Sequence, residues 1–273
     1  MNFSVSNVAP TVGTVTCTFQ TPSEAVDYNV TCNASITDTN GWQDVVACNA
    51  TWFKATSLVG GAANENNKYY NATGCTLTSG TSNTVNCNCG FRVRYFADGS
   101  VNWIGNITAR DSSNGLGRAE SALQSLTVCR ALDLTRSTVQ WGSLAPGYAG
   151  TWFNITNITV ANNTGNVNIS FQFTGATADM PCSPSPANNA LAKIKYCAAI
   201  GATGTAYASC GMVLTQTQTG SDIAGGWAKN RQGATPATIE NRTIFWAVAT
   251  DSGINGTCVI TVNQYAVQAN PEM

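Results

Sequence analysis

Val85-Asn86-Cys87-Asn88-Cys89-Gly90-Phe91-Arg92-Val93-Arg94-Tyr95 alternates between two residue classes along its whole length. A period of two sends Val85, Cys87, Cys89, Phe91, Val93 and Tyr95 to one face and Arg92 and Arg94 to the other, as in a half-buried β-strand. The same period recurs on both sides. Upstream, Tyr28, Val30, Cys32, Ala34 and Ile36 share a face; downstream come Val101, Trp103 and Ile107, then Val167, Ile169, Phe171 and Phe173, then Ile244, Trp246 and Val248. Turn-forming clusters separate these runs: Thr39-Asn40-Gly41, Ala97-Asp98-Gly99, Ser112-Ser113-Asn114-Gly115, Asn163-Thr164-Gly165 and Asn255-Gly256. Helical pattern is confined to one turn over Gly117–Gln124 and one or two over Pro186–Lys195. The fold class is all-β.

The 273 residues exceed an ordinary single domain. A closing strand over Leu123–Cys129 and a fresh one from Ser137 to Trp141 place a boundary near 130–136. The expected domains are 1–131 and 132–273, two tandem immunoglobulin-like antiparallel β-sandwiches by size and strand number. The segment Arg130–Arg136 is short and lacks Gly and Pro, so the domains are expected to abut.

Only 10% of the chain is charged, the net charge is −1, and there is no histidine. Without a basic stripe, a nucleic-acid partner is not expected. The lack of His removes imidazole bases and imidazole metal ligands. Glu24, Glu65, Glu120, Glu240 and Glu272 are scattered, with no pair set for glycoside hydrolysis. Asp38-x-Asn40-Gly41-x-x-Asp44 has the oxygen donors of a calcium loop without its spacing, and reads as a turn whose melting EDTA should not change. No enzyme activity, cofactor or metal is expected.

Eleven cysteines point to an oxidising compartment: Cys17, Cys32, Cys48, Cys75, Cys87, Cys89 and Cys129, then Cys182, Cys197, Cys210 and Cys258. Cys87 and Cys89, on one strand face, should each bridge to a neighbouring strand. Cys32 and Cys48, inward on consecutive strands, are expected to pair. Seven cysteines in the first domain leave one that is unpaired, pairs across the domains or is intermolecular. Twelve N-x-[ST] sequons occur where composition alone gives about six. Besides Asn2, they are Asn29, Asn33, Asn49, Asn71, Asn106, Asn154, Asn157, Asn162, Asn168, Asn241 and Asn255. Alternation puts Asn29, Asn33 and Asn106 on outward faces, where they read as glycosylation sites. No apolar run is long enough to span a membrane as a helix. The first nineteen residues lack the features of an export signal, so an exported chain would have lost its leader ahead of Met1 or gained a Met.

Several segments resemble tandem Ig-like modules of archaeal cell-surface proteins: Asn29–Asp44, Tyr95–Trp103, Asn106–Ser113, Trp141–Gly147 and Ile158–Asn168. The resemblance implies a secreted, glycosylated surface protein and carries over no catalytic residue; the cysteine density departs from it. Low charge weakens repulsion between identical copies, so a structural subunit of a homo-polymeric filament or surface layer is expected. The segment Asn2–Val8, with Phe3 and Val5 in alternation, either pairs within its own domain or donates a strand to a neighbouring subunit. The alternative is a monomeric adhesin that binds glycans or other surface proteins. The seven tryptophans read mostly as core, with Trp227 expected as an exposed contact.

Overall fold

The computed structural model describes residues 6–57, 60–71, 75–99, 101–135, 138–147, 159–175, 177, 179–185, 187–190, 193–199, 212–213, 241–254 and 256–268. The chain divides into two compact units, Met1–Cys129 and Arg130–Met273. The described residues form antiparallel sheets without an α-helix, consistent with a β-sandwich in the first unit.

In that unit, β1 (Thr11–Val12), β2 (Thr16–Phe19), β3 (Tyr28–Thr37), β6 (Cys75–Thr81) and β7 (Thr84–Val93) make one sheet. β1 and β2 both pair with β3, which pairs with β7, which pairs with β6. The second sheet holds β4 (Val45–Lys54), β5 (Lys68–Tyr70), β8 (Asn102–Asp111), β9 (Leu116–Glu120) and β10 (Gln124–Ser125). Its centre is the β4–β8 pair. The alternating faces of β3 and β7 are buried as their sequence requires: Val30, Cys32, Ile36, Val85, Cys87, Phe91 and Val93 are all buried. They share one core with Cys48, Ala50, Trp52, Trp103 and Ile107 of the other sheet. Full burial of each aliphatic or aromatic side chain is worth about 1.5–3 kcal/mol. Trp52 and Trp103 stack with ring centroids 5.7 Å apart, and Tyr69 leans on Trp103 at 6.1 Å.

Gly105 on β8 sits directly beneath a disulfide of the facing sheet. A Cβ there would stand 2.2 Å from Cys17 Sγ and 2.7 Å from Cys32 Sγ. The contact between the sheets is close enough to need a glycine.

Two sequence expectations change here. Gly117–Glu120, the first half of the expected helical turn, belongs to strand β9 (Leu116–Glu120). Gly117 weakens a helix, while the open edge of β8 supplies a full ladder from Asn106↔Glu120 to Arg110↔Leu116. Within Pro186–Lys195, the described residues include β17 (Asn189–Ala190) and the start of a strand at Ile194, again without an α-helix.

The second unit carries β11 (Leu132–Leu134), β12 (Thr138–Leu144), β13 (Thr159–Asn163), β14 (Ile169–Gly175), β15 (Asp179–Met180), β16 (Cys182–Pro184), β17, β18 (Ile194–Ala199), β19 (Met212–Val213), β20 (Asn241–Val248) and β21 (Gly256–Gln268). One sheet runs β11-β13-β20-β18-β19. The long β21 pairs with β12 and β16 over its first half and with β14 over its second. β15 and β17 form a separate two-stranded antiparallel sheet. Phe173, Tyr196 and Trp246 pack as an aromatic triad with centroids 5.2–5.4 Å apart, and the Phe173 backbone N–H donates to the Tyr196 hydroxyl. Ile169, Ile194, Ile244 and Val248 are fully buried in this unit.

Candidate functional site

Four disulfides form among the described residues: Cys17–Cys32, Cys48–Cys87, Cys75–Cys89 and Cys182–Cys258. Cys32 therefore does not pair with Cys48. The strand lying beside β3 is β2, which places Cys17 opposite Cys32 in register; Cys48, on β4, faces Cys87 of the other sheet. Cys87 and Cys89 do bridge separately, each to a different strand. Cys17–Cys32, Cys75–Cys89 and Cys182–Cys258 each join neighbouring strands of one sheet, whereas Cys48–Cys87 ties the two sheets together.

The sulfurs of Cys48, Cys75, Cys87 and Cys89 lie within 4.8 Å of one another. Their number and spacing would suit zinc, but bridged sulfurs offer no thiolate. Cys129 lies outside these four bridges. Burial, and to a lesser degree the Glu24 carboxylate, push its thiol pKa up, which makes it a poor nucleophile at neutral pH. Cys197 lies on β18, and Cys210 is outside the described residues.

The sequons differ in access. Asn29 and Asn33 on β3 and Asn49 on β4 are exposed, and Asn71, Asn162 and Asn168 are half-buried. Asn106 is the correction. It is only 3% exposed, with its carboxamide Nδ2 donating to Glu120 Oε1 at 3.4 Å and Thr108 Oγ1 donating to its Oδ1 at 3.3 Å. Alternation turned it away from the Trp103 face correctly, but β9 lies alongside and its outward face is also covered. Asn241 lies on β20, while Asn2, Asn154, Asn157 and Asn255 are outside the described residues. Glycopeptide mapping of native protein is expected to find sugar on Asn29, Asn33 and Asn49 and none on Asn106. A glycan on Asn106 would contradict the packing.

The exposed Asn33 sequon on β3 belongs to a neutral polar surface. Cross-strand rungs read Thr16–Asn33–Asn88–Thr76 and Ser35–Asn86–Thr78, with Thr37–Thr84–Thr81 beyond them. An open groove of about 390 Å³ runs over these side chains, lined by Thr16, Asn33, Ser35, Thr78, Asn86 and Asn88 among others. Charge returns only at the rim, where Asp27 accepts from Arg94 at 2.9 Å and meets Arg92 at 3.3 Å. The Asp27 hydrogen bond raises the Arg94 pKa further; both guanidiniums are well exposed, so these pairs contribute little to stability. β6 ends the sheet path and leaves an edge of Thr, Ser and Gly.

Phe3 and Val5 lie outside the described residues. The chain that follows them stays on its own unit. Asn7 Nδ2 donates to Asp111, the Val8 N–H donates to Asn40 Oδ1, and Thr11-Val12 pairs with Thr37 and Ile36. Of the tryptophans, Trp52, Trp103 and Trp246 are buried and Trp42 is half-buried; Trp141 lies on β12, and Trp152 and Trp227 are outside the described residues. Asn40-Gly41 is a turn, with Gly41 at φ 112° in the region that favours glycine. Among the described residues, no helix is long and apolar enough to cross a membrane.

No protein-family model matches this sequence, and no curated protein does.

Proposed function

We propose that the chain is a non-catalytic structural subunit of an extracellular homo-polymer, a filament or surface layer, built from two immunoglobulin-like sandwiches of the archaeal cell-surface kind. The observation that carries this reading is the first unit's neutral Thr/Asn/Ser face over a core stapled by three disulfides. A face without charge meets its own copy without electrostatic cost, and cross-links preserve it outside the cell. The bridges and the lack of a long apolar helix among the described residues are compatible with an extracellular protein.

Residues 1–5 act as the donated strand. They have a reach of roughly 17 Å when extended, and Phe3 and Val5 would fill alternate pockets along an open edge. Negative-stain imaging of native protein should show polymers. Removing residues 1–5 should abolish them while near-ultraviolet circular dichroism stays unchanged, because Asn7, Val8 and β1 remain in place. Polymers that persist after the deletion would rule out strand donation. The groove over Asn33, Asn86 and Asn88 favours a second reading, a monomeric adhesin for neutral glycans; single particles with measurable sugar affinity would support it instead.

A further inference from the structure

The turn after β3 and the turn after β8 bring three carboxylates to one end of the first unit. Asp38 follows β3, Asp44 precedes β4, and Asp111 closes β8; one carboxylate oxygen of each lies within 4.8 Å of the others. Asp38 and Asp111 are 1% and 0% exposed. Like charges this close and this dry repel unless a proton or a cation intervenes. Among the described residues, no Lys or Arg forms an ion pair with any of the three.

The hydrogen bonds show where the free capacity lies. Asp111 Oδ1 accepts from the backbone N–H groups of Ser113 and Gly115, at 2.9 and 2.7 Å, and its Oδ2 accepts from Asn7 Nδ2 at 2.8 Å. Both Asp111 oxygens accept from N–H donors, the pattern of a carboxylate and not of a protonated acid. Asp44 Oδ1 accepts from the Ser112 hydroxyl. Asp38 Oδ1 accepts from the Asn40 N–H at 2.8 Å, but Asp38 Oδ2 is buried with no hydrogen-bond partner. An orphaned carboxylate oxygen beside two further carboxylates is a strong ligand lacking its counter-charge.

We propose that Asp38, Asp44 and Asp111 bind a divalent cation, specifically Ca²⁺. The donors are all hard oxygens, with neither imidazole nor thiolate among them, which disfavours zinc. They come from separate turns instead of one rigid cage, which suits the variable six- to eight-oxygen shell of Ca²⁺ better than the strict octahedron of Mg²⁺. Carboxylates bound in both modes, with water, complete such a shell. The ion would join the end of one sheet to the other. The site stands whether or not the chain polymerises, and it reverses the sequence expectation that this segment is only a turn.

The test uses the full-length, disulfide-bonded protein, freed of metal with EDTA and titrated with CaCl₂ or MgCl₂. Calorimetry should give one Ca²⁺ per chain with Kd of about 1 mM or tighter, the range of extracellular modules, and Mg²⁺ at least roughly tenfold weaker. At about 100-fold Kd, Ca²⁺ should raise the melting temperature of the first unit by roughly 5–15 °C. Asp38→Asn and Asp44→Asn should each lose the calcium heat and the melting shift, while melting in EDTA stays equal to the parent or rises as repulsion is relieved. Asp44 is half-exposed, so Asp44→Asn remains informative if Asp38→Asn misfolds. The proposal is overturned if the parent shows neither heat nor shift at about 10 mM Ca²⁺, far above that Kd range, or if Asp44→Asn binds Ca²⁺ as tightly as the parent. Equal affinity for Mg²⁺ would overturn the assignment to Ca²⁺.

Discussion

Replacing Cys182 and Cys258 with alanine is expected to lower the stability of the second unit by about 4.5 kcal/mol, the largest loss among the four bridges. The bridge closes a separation of 76 residues. Restricting the unfolded chain is worth more for a longer loop, and the loop-closure relation gives about 4.5 kcal/mol at that length. The separations of 39, 15 and 14 for Cys48–Cys87, Cys17–Cys32 and Cys75–Cys89 give about 3.9, 3.0 and 3.0 kcal/mol. A domain of this size is stable by roughly 5–15 kcal/mol, so the loss of Cys182–Cys258 takes from about 30% to nearly all of the total. Hydrogen exchange followed peptide by peptide reads each unit separately and ranks the four double variants. If that ranking ignores loop length, native-state contacts decide what each bridge contributes. The inter-sheet Cys48–Cys87 pair is then the one to exceed its expected value.

Trp103→Ala is expected to cost about 3–5 kcal/mol in the first unit. The indole is fully buried, stacked on Trp52 and flanked by Tyr69, and its Nε1–H donates to the Asp98 carbonyl at 3.0 Å. Truncation leaves a cavity between the sheets and takes the donor from that carbonyl. Asp98 is also the partner of Lys54 at 2.9 Å, in a pair that is mostly buried, so the loop after β7 loosens with the core. Trp103→Phe keeps a six-membered ring but loses the five-membered ring with its donor, and should cost less than the alanine, about 2 kcal/mol. Denaturant unfolding of the two variants checks the difference. A loss below about 1 kcal/mol for Trp103→Ala would mean that the two sheets close up over the gap, contrary to the usual partial relaxation of cores.

The strands were legible because the residues of β3, β7 and β20 alternate cleanly, and the structure buries Ile36, Val93 and Trp246 on the faces that the alternation marks. Alternation fixes a face and leaves the neighbour unspecified. That is why Cys32 was matched with Cys48 when β2 lies alongside, and why Asn106 was read as exposed when β9 covers it. Leu116–Glu120 escaped because its pattern is short, and the open edge of β8, not propensity, decides its conformation. The acidic cluster was half visible. Asp38 and Asp44 sit in one quoted loop, but Asp111 arrives from another turn, and only the pairing of Val45 with Asp111 brings it there. The turn signal Ser112-Ser113-Asn114-Gly115 right after Asp111 was the available clue.

Asn33 sits next to Cys32 in an interior strand, hydrogen-bonded to β2 on one side and β7 on the other. A transferase that modifies an asparagine needs the neighbouring backbone pliable enough to thread its active site. Once β3 is paired with β7 and β2, residues 32–35 are held extended. A sugar on Asn33 must therefore be installed while the nascent chain is still open. Biosynthesis would then run in a fixed sequence, decoration first and closure of the sheet second.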